Sequence, residues 1–203
     1  MKLLLATNNA HKVQEIKAIL GDSCSEVCTL REAGVSFEAI EDGATFRENA
    51  LKKAEQTLAF VGERFDAVLA DDSGLCVDAL GGAPGVHSAR FSGEDHNDAA
   101  NNALLMERLA SVPDERRTAR FVSCIALARR GLPPLVVEGT VEGTILHEAH
   151  GANGFGYDPY FWYAPLGRSF AELSADEKNA VSHRHNALVL LKEALDGESR
   201  GLL

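Results

Sequence analysis

Short apolar runs alternate with longer amphipathic stretches along the first half of this chain, which is the pattern of strands and helices in turn. Residues 2–6 predict a buried strand. Residues 12–20 place Val13, Ile16, Ile19 and Leu20 on one helical face, with Gly21 as the stop. Residues 26–30 predict a second short strand. Thr45 and Glu48 have capping-box spacing and open a helix that runs to about Val61. Residues 67–70 predict a strand that ends at an acidic pair, and residues 75–79 read as a further strand-like run.

The second half changes rhythm. Gly81-Gly82-Ala83-Pro84-Gly85 is a loop by composition. Residues 97–110 predict a helix. Residues 117–130 and 135–145 predict long strands joined through Gly131-Leu132-Pro133-Pro134 as a hairpin. Residues 149–159 form a glycine-rich loop. Ser174 and Glu177 repeat the capping box, and residues 183–195 predict the last long helix, with Leu188, Leu191 and Leu195 on one face. Residues 196–203 read as a frayed tail. No repeat or linker interrupts the pattern, so residues 1–203 predict one α/β domain around a mixed sheet.

Composition narrows the classes. A chain of 203 residues, 45% apolar and 25% charged, is that of a soluble globular domain with a real core. Its longest apolar run, residues 121–128, is too short to span a bilayer, so no membrane partner is expected. The apolar N-terminus stops at Thr7-Asn8-Asn9 and reads as a strand rather than a signal peptide. Thirty acidic against 20 basic residues leave a net charge of −10, which argues against a nucleic-acid partner but not against a small anionic substrate. Cys24, Cys28, Cys76 and Cys124 lack zinc-site spacing and read as free thiols of a cytoplasmic protein.

Four clusters carry candidate chemistry. Asp71-Asp72-Ser73-Gly74 follows the apolar strand. Taken alone the string also suits a solvated turn, but paired carboxylates at a strand end suit a cation. With Glu41 and neighbouring Asp42 they offer an oxygen-only set of the kind that takes Mg2+, although Glu41 taken alone reads more simply as a surface loop acid. Thr7-Asn8-Asn9-Ala10-His11-Lys12 joins a strand to a helix N-terminus, where backbone N–H groups favour an anion. Plain asparagine capping reads the same way. In Gly154-Phe155-Gly156-Tyr157-Asp158-Pro159, glycines flank an aromatic ring on which a flat base could stack for ~1–3 kcal/mol. The alternative is that Phe155 pins its loop to the core. Lys178 and Ser182-His183-Arg184 put cations at a helix start, against the macrodipole, which points to a functional reason.

Taken in order, these motifs resemble the Ham1/RdgB family of inosine/xanthosine triphosphate pyrophosphatases. The resemblance rests on Ala6-Thr7-Asn8-Asn9 with Lys12, Thr45-Phe46 with Glu48-Asn49-Ala50, and Ala70-Asp71-Asp72-Ser73-Gly74-Leu75. It continues through Gly81-Gly82-Ala83-Pro84-Gly85 with Ser88-Ala89-Arg90, Gly154 to Pro159, and Glu177-Lys178-Asn179-Ala180 with Ser182-His183-Arg184. It implies an α/β fold with a long central mixed sheet flanked by helices, and two lobes with an active-site cleft between them. It also implies a homodimer and Mg2+-dependent hydrolysis of the purine nucleoside triphosphates ITP, dITP and XTP to monophosphate and pyrophosphate.

Carried over residue by residue, the resemblance makes Asp72 the proton acceptor and a metal ligand with Glu41, and Asp71 a second metal or water contact. It puts the phosphates on Thr7, Asn8, Asn9, Ala10, His11 and Lys12. Ser73, Phe155, Gly156, Tyr157, Asp158, Lys178 and His183 join them as substrate-binding residues, with Arg184 as the donor to O6 of the base. A Maf-type nucleotide pyrophosphatase would instead show a serine-rich Arg-Arg motif after its first strand, which this chain lacks. A non-catalytic nucleotide binder would gain little from Glu41 and Asp72 beside phosphates.

Overall fold

The apolar run after Lys2 is buried as β1 (Lys2–Leu5), where Leu3, Leu4 and Leu5 are at most 1% exposed. The computed structural model describes residues 2–20 and 26–199. The expected stop at Gly21, Cys24, and the last four residues of the expected tail lie outside them.

Seven strands of the described residues form one sheet in the order β2-β1-β3-β4-β5-β6-β7. The remaining strands are β2 (Glu26–Thr29), β3 (Ala67–Val77), β4 (Thr118–Arg129), β5 (Leu132–Ile145), β6 (Phe161–Tyr163) and β7 (Arg168–Ser169). β1 pairs in parallel with β2 and β3, whereas β6 pairs antiparallel with β5 and β7, so the sheet is mixed as expected. The helices are α1 (Ala10–Leu20), α2 (Phe46–Val61), α3 (Asp98–Leu109), α4 (Ala175–Val181) and α5 (His183–Ser199). Among the described residues no helix is long and apolar enough to cross a membrane.

The chain divides into two compact units. The first comprises the residues up to Asp72, Ser123–Gly139, and those from Arg184 on. Its core packs Leu3, Leu5, Leu69, Ile125 and Leu127 of the strands against Ile16 and Leu20 of α1 and Leu188 and Leu191 of α5. Val13 and Ile19 flank that cluster, so the helical face expected of α1 is the buried one.

The second unit comprises Ser73–Val122 and Thr140–His183. Its core gathers Leu75, Leu105, Leu109, Phe121, Phe161 and Phe170. Arg117 lies inside it, 1% exposed, and donates to three backbone carbonyls: Ile145 at 2.8 Å, Leu109 at 2.9 Å and Leu146 at 3.0 Å. A buried guanidinium satisfied in this way ties the end of α3 to the end of β5.

Three expectations on the elements are corrected. β3 runs unbroken from Ala67 to Val77, so the acidic pair lies within a strand and not at a turn after one. Gly74 serves close packing there, because a Cβ would collide with the Ser88 hydroxyl. That hydroxyl accepts from Leu75 N–H at 2.9 Å and donates to the Gly85 carbonyl at 2.6 Å. The hairpin turns at Arg130-Gly131 alone, with Gly131 at φ +67°, while Pro133 and Pro134 belong to the start of β5, where a missing N–H is tolerated. Residues 196–199 continue α5 instead of fraying.

Both capping boxes cap their helices. Thr45 accepts from Glu48 N–H, although Glu48 reaches back to Ala44 N–H rather than to Thr45. Ser174 and Glu177 satisfy each other reciprocally.

Candidate active site

In the first unit, Asp71 and Asp72 are neighbours on β3 and so face opposite sides of the sheet. Both are buried, at 1% and 9% exposure. The Asp71 carboxylate accepts from Ser123 Oγ at 2.7 Å and from Arg184 Nη2 and Nε at 3.0 and 3.2 Å. Lys12 Nζ stands 3.1 Å from the same carboxylate. Arg184 also pairs with Glu15 on α1. Two buried acids thus meet two cations.

Asp72 is differently placed. Burial pushes its carboxyl up to about 6, against the cations Lys12 and Lys53 and a hydrogen bond from Asn49, which pull the other way. Its Oδ2 is buried with no hydrogen-bond partner among the described residues. The expected metal ligand Glu41 holds Lys53 Nζ at 2.7 Å, so Lys53 links the two expected metal ligands electrostatically. Asp42 pairs with Lys52 on the surface.

Asn49 was quoted in the sequence only within a motif, with no role assigned, and Lys53 was not singled out. They stand four apart on α2 and therefore share a face. Asn49 Oδ1 also accepts from Gly43 N–H at 2.8 Å, which ties the loop bearing Glu41 to the residue that holds Asp72. The spacing Asn49-x-x-x-Lys53 just after a capping box was the available signal. Glu15, a buried acid on the apolar side of an amphipathic helix, was a second one.

The loop before α1 is organised by Asn9. Its Oδ1 accepts from His11 N–H at 3.0 Å and Lys12 N–H at 3.2 Å, and Asn9 N–H itself donates to Thr7 Oγ1 at 3.2 Å. Asparagine capping therefore occupies two donors that were expected to face an anion, and the cation Lys12 turns toward Asp71. Asn8, Ala10 and His11 are exposed.

In the second unit, Asp158 organises the glycine-rich loop. It is 2% exposed, and its Oδ2 accepts from Lys178 Nζ at 2.6 Å and Phe155 N–H at 2.9 Å. Gly154 has φ +75°, and a Cβ on it would run into that carboxylate. Lys178 Nζ lies 4.6 Å from the centroid of the half-buried Phe155 ring, a cation–π contact. Tyr157 is 4% exposed and its hydroxyl donates to the Ser88 carbonyl at 2.8 Å, so it supports the loop from the core. His183, at 4% exposure, stacks on Phe121 with centroids 5.0 Å apart. Ser73 is half-buried.

Arg184 is held inside the first unit. The guanidinium expected to donate to O6 of a base is fully buried, and its Nε, Nη1 and Nη2 all donate to carboxylates. An ion removed from water must find its partners inside, and Asp71 and Glu15 are those partners.

The fold and these two clusters define an α/β protein whose acidic strand is flanked by lysines and whose glycine-rich loop offers an aromatic face. The sequence model of the Ham1 family matches residues 3–194, and the chain belongs to that family. The dITP/XTP pyrophosphatase of Exiguobacterium sibiricum is 52% identical over 195 residues, covering 96% of this chain and 97% of the relative. Among solved structures, the Staphylococcus aureus Ham1 protein superposes with a TM-score of 0.86 at 39% identity, covering 98% of this chain and all of its own (100%). The nucleoside-triphosphatase / dITP/XTP pyrophosphatase of Mycobacterium abscessus does so with a TM-score of 0.76 at 46% identity, covering 94% and 98%.

Proposed function

We propose that this protein hydrolyses the non-canonical purine nucleoside triphosphates dITP, XTP and ITP to the monophosphate and pyrophosphate. The observation that carries the reading is Asp72: a buried carboxylate raised to about 6, one oxygen without a partner, in the field of two lysines. A base poised near neutral pH is what proton abstraction from water requires.

Among the described residues no group of three or more His, Cys, Asp or Glu gathers as a metal cage. Mg2+ does not need one, since it keeps several waters and takes one or two carboxylates. The open Oδ2 of Asp72 fits that demand. Glu41 and Asp72 would hold the ion, which supplies Lewis-acid charge against the phosphate oxygens.

Each side chain then has a task. Asp72 orients a water and accepts its proton as the oxygen attacks the α-phosphorus. Lys12 and the Thr7–His11 stretch hold the phosphate chain, with Lys53 adding positive charge beside Asp72 and Ser73 joining from the next residue. Phe155 offers its ring to the purine, with Gly156, Asp158, Lys178 and His183 around it and Tyr157 beneath. Arg184 contributes by holding Asp71. In this reading residues 1–203 act as a single domain, in a cytoplasmic homodimer.

The experiment is turnover of ITP, XTP, GTP and ATP with and without Mg2+, scoring pyrophosphate against orthophosphate. Pyrophosphate with IMP or XMP, dependent on the metal, is expected. Orthophosphate with IDP as first products would overturn the mechanism, and tight binding without turnover would make the protein a nucleotide sensor.

A further inference from the structure

Gly156 is held from both sides by one helix. Its N–H donates to Asp98 Oδ2 at 2.7 Å, and its carbonyl accepts from Asn102 Nδ2 at 2.8 Å. Asp98 and Asn102 stand four apart on α3 and so lie on the same face. Gly156 has φ +61°, a conformation that glycine leaves easily in either direction. Fixing the N–H fixes the peptide plane shared with Phe155, and fixing the carbonyl fixes the plane shared with Tyr157. The grip therefore removes the freedom that glycine would otherwise give this loop.

A second observation concerns Asn102. Its Oδ1 is buried and has no hydrogen-bond partner among the described residues. An amide kept only for folding stability would be poorly chosen, since one of its two polar ends is left unsatisfied. Its Nδ2 bond to Gly156 is what the side chain does.

We infer that Asp98 and Asn102 are positioning residues for base recognition, holding Gly156 so that the Phe155 ring keeps its face in place for the purine. Neither touches the substrate. They act through Gly156 on Phe155, while Asp158 holds the Phe155 N–H and Lys178 meets its ring. The inference rests on the proposed stacking role of Phe155.

The test compares Asn102→Ala, Asp98→Ala, Asp98→Asn and Phe155→Ala, with the double variant Asn102→Ala/Phe155→Ala. Each is read for kcat, KM for ITP, and Tm. Loss of one such bond should raise KM roughly three- to tenfold in Asn102→Ala and Asp98→Ala, with kcat and Tm little changed. Asp98→Asn keeps an acceptor and should stay near the parent KM. In the Phe155→Ala background, Asn102→Ala should add nothing further. An unchanged KM in Asn102→Ala beside a raised KM in Phe155→Ala overturns the inference and leaves the function standing. So does an equal KM rise from Asn102→Ala with or without the ring, or a fall in Tm with kcat and KM moving together. An unchanged KM in Phe155→Ala itself overturns the stacking role, and the inference with it.

Discussion

Asp71 and Arg184 are 113 residues apart in the chain and meet in the interior, with the carboxylate accepting from the guanidinium at 3.0 and 3.2 Å. Neither is more than 1% exposed. Lys12 and Ser123 complete the carboxylate's shell and Glu15 takes the far side of the guanidinium, so the charges balance inside the first unit. With Asp71 satisfied in this way, the open carboxylate oxygen of the acidic pair belongs to Asp72.

Arg184→Ala should therefore act first on stability. It removes the guanidinium that Glu15 and Asp71 share and leaves Asp71 to Lys12 and Ser123, and breaking such a buried pair typically costs about 3–5 kcal/mol. A thermal melt reads this. The ITP-to-ATP ratio of kcat/KM, measured below the melt, should stay unchanged. A shrunken ratio would return the guanidinium to O6 of the base.

Asp72→Asn should lower turnover by ~10²–10⁴-fold, the usual contribution of a general base. Metal-free protein at neutral pH should melt no lower than the parent, because an amide replaces a carboxylate whose ionised form burial disfavours. Equilibrium dialysis against ITP should still show binding through Lys12 and its loop.

The pH dependence has a definite sign. Asp72 sits at about 6 in the metal-free fold and a bound cation favours its ionised form, so kcat/KM with Mg2+ should climb with pH at or below that value as the base ionises. Stability runs the other way: a raised carboxyl contributes fully below its unfolded value of about 3.9 and loses that contribution as pH rises through about 6. Metal-free parent should lose on the order of 2–3 kcal/mol between those values from this group, and Asp72→Asn should flatten that slope. Lys53→Met removes a cation that favours the ionised form, so the ascending limb should move to higher pH. A limb that stays in place would separate Lys53 from Asp72.

Phe155→Ala should raise the KM for ITP by the loss of a stacking face, ~1–3 kcal/mol per base. The ring is half-buried and bears on the Lys178 ammonium, so Tm should change little. A large fall in Tm with KM unchanged would make Phe155 a pin for its loop.

Most elements were legible because their signals are local. Short apolar runs, period-3.6 apolar patterns, two capping boxes and the glycine clusters place the helices and most strands of the mixed sheet close to their observed bounds. The motifs also bring out the family and the residues worth testing. What sequence could not supply is what depends on contacts made far along the chain. Asp71-Asp72-Ser73-Gly74 reads locally as a turn, yet it is strand, and Gly74 is there to admit the Ser88 hydroxyl rather than to turn the chain. Two adjacent aspartates look alike in sequence, but Arg184, Lys12 and Ser123 satisfy one of them while burial raises the other. Cations at the start of α5 look like ligand contacts, but Arg184 has its carboxylates inside the protein. Asn49, Lys53 and Glu15 gained their tasks only when helices brought them against β3 and Arg184, since the charge a group carries and the partner it finds are set by burial and distance.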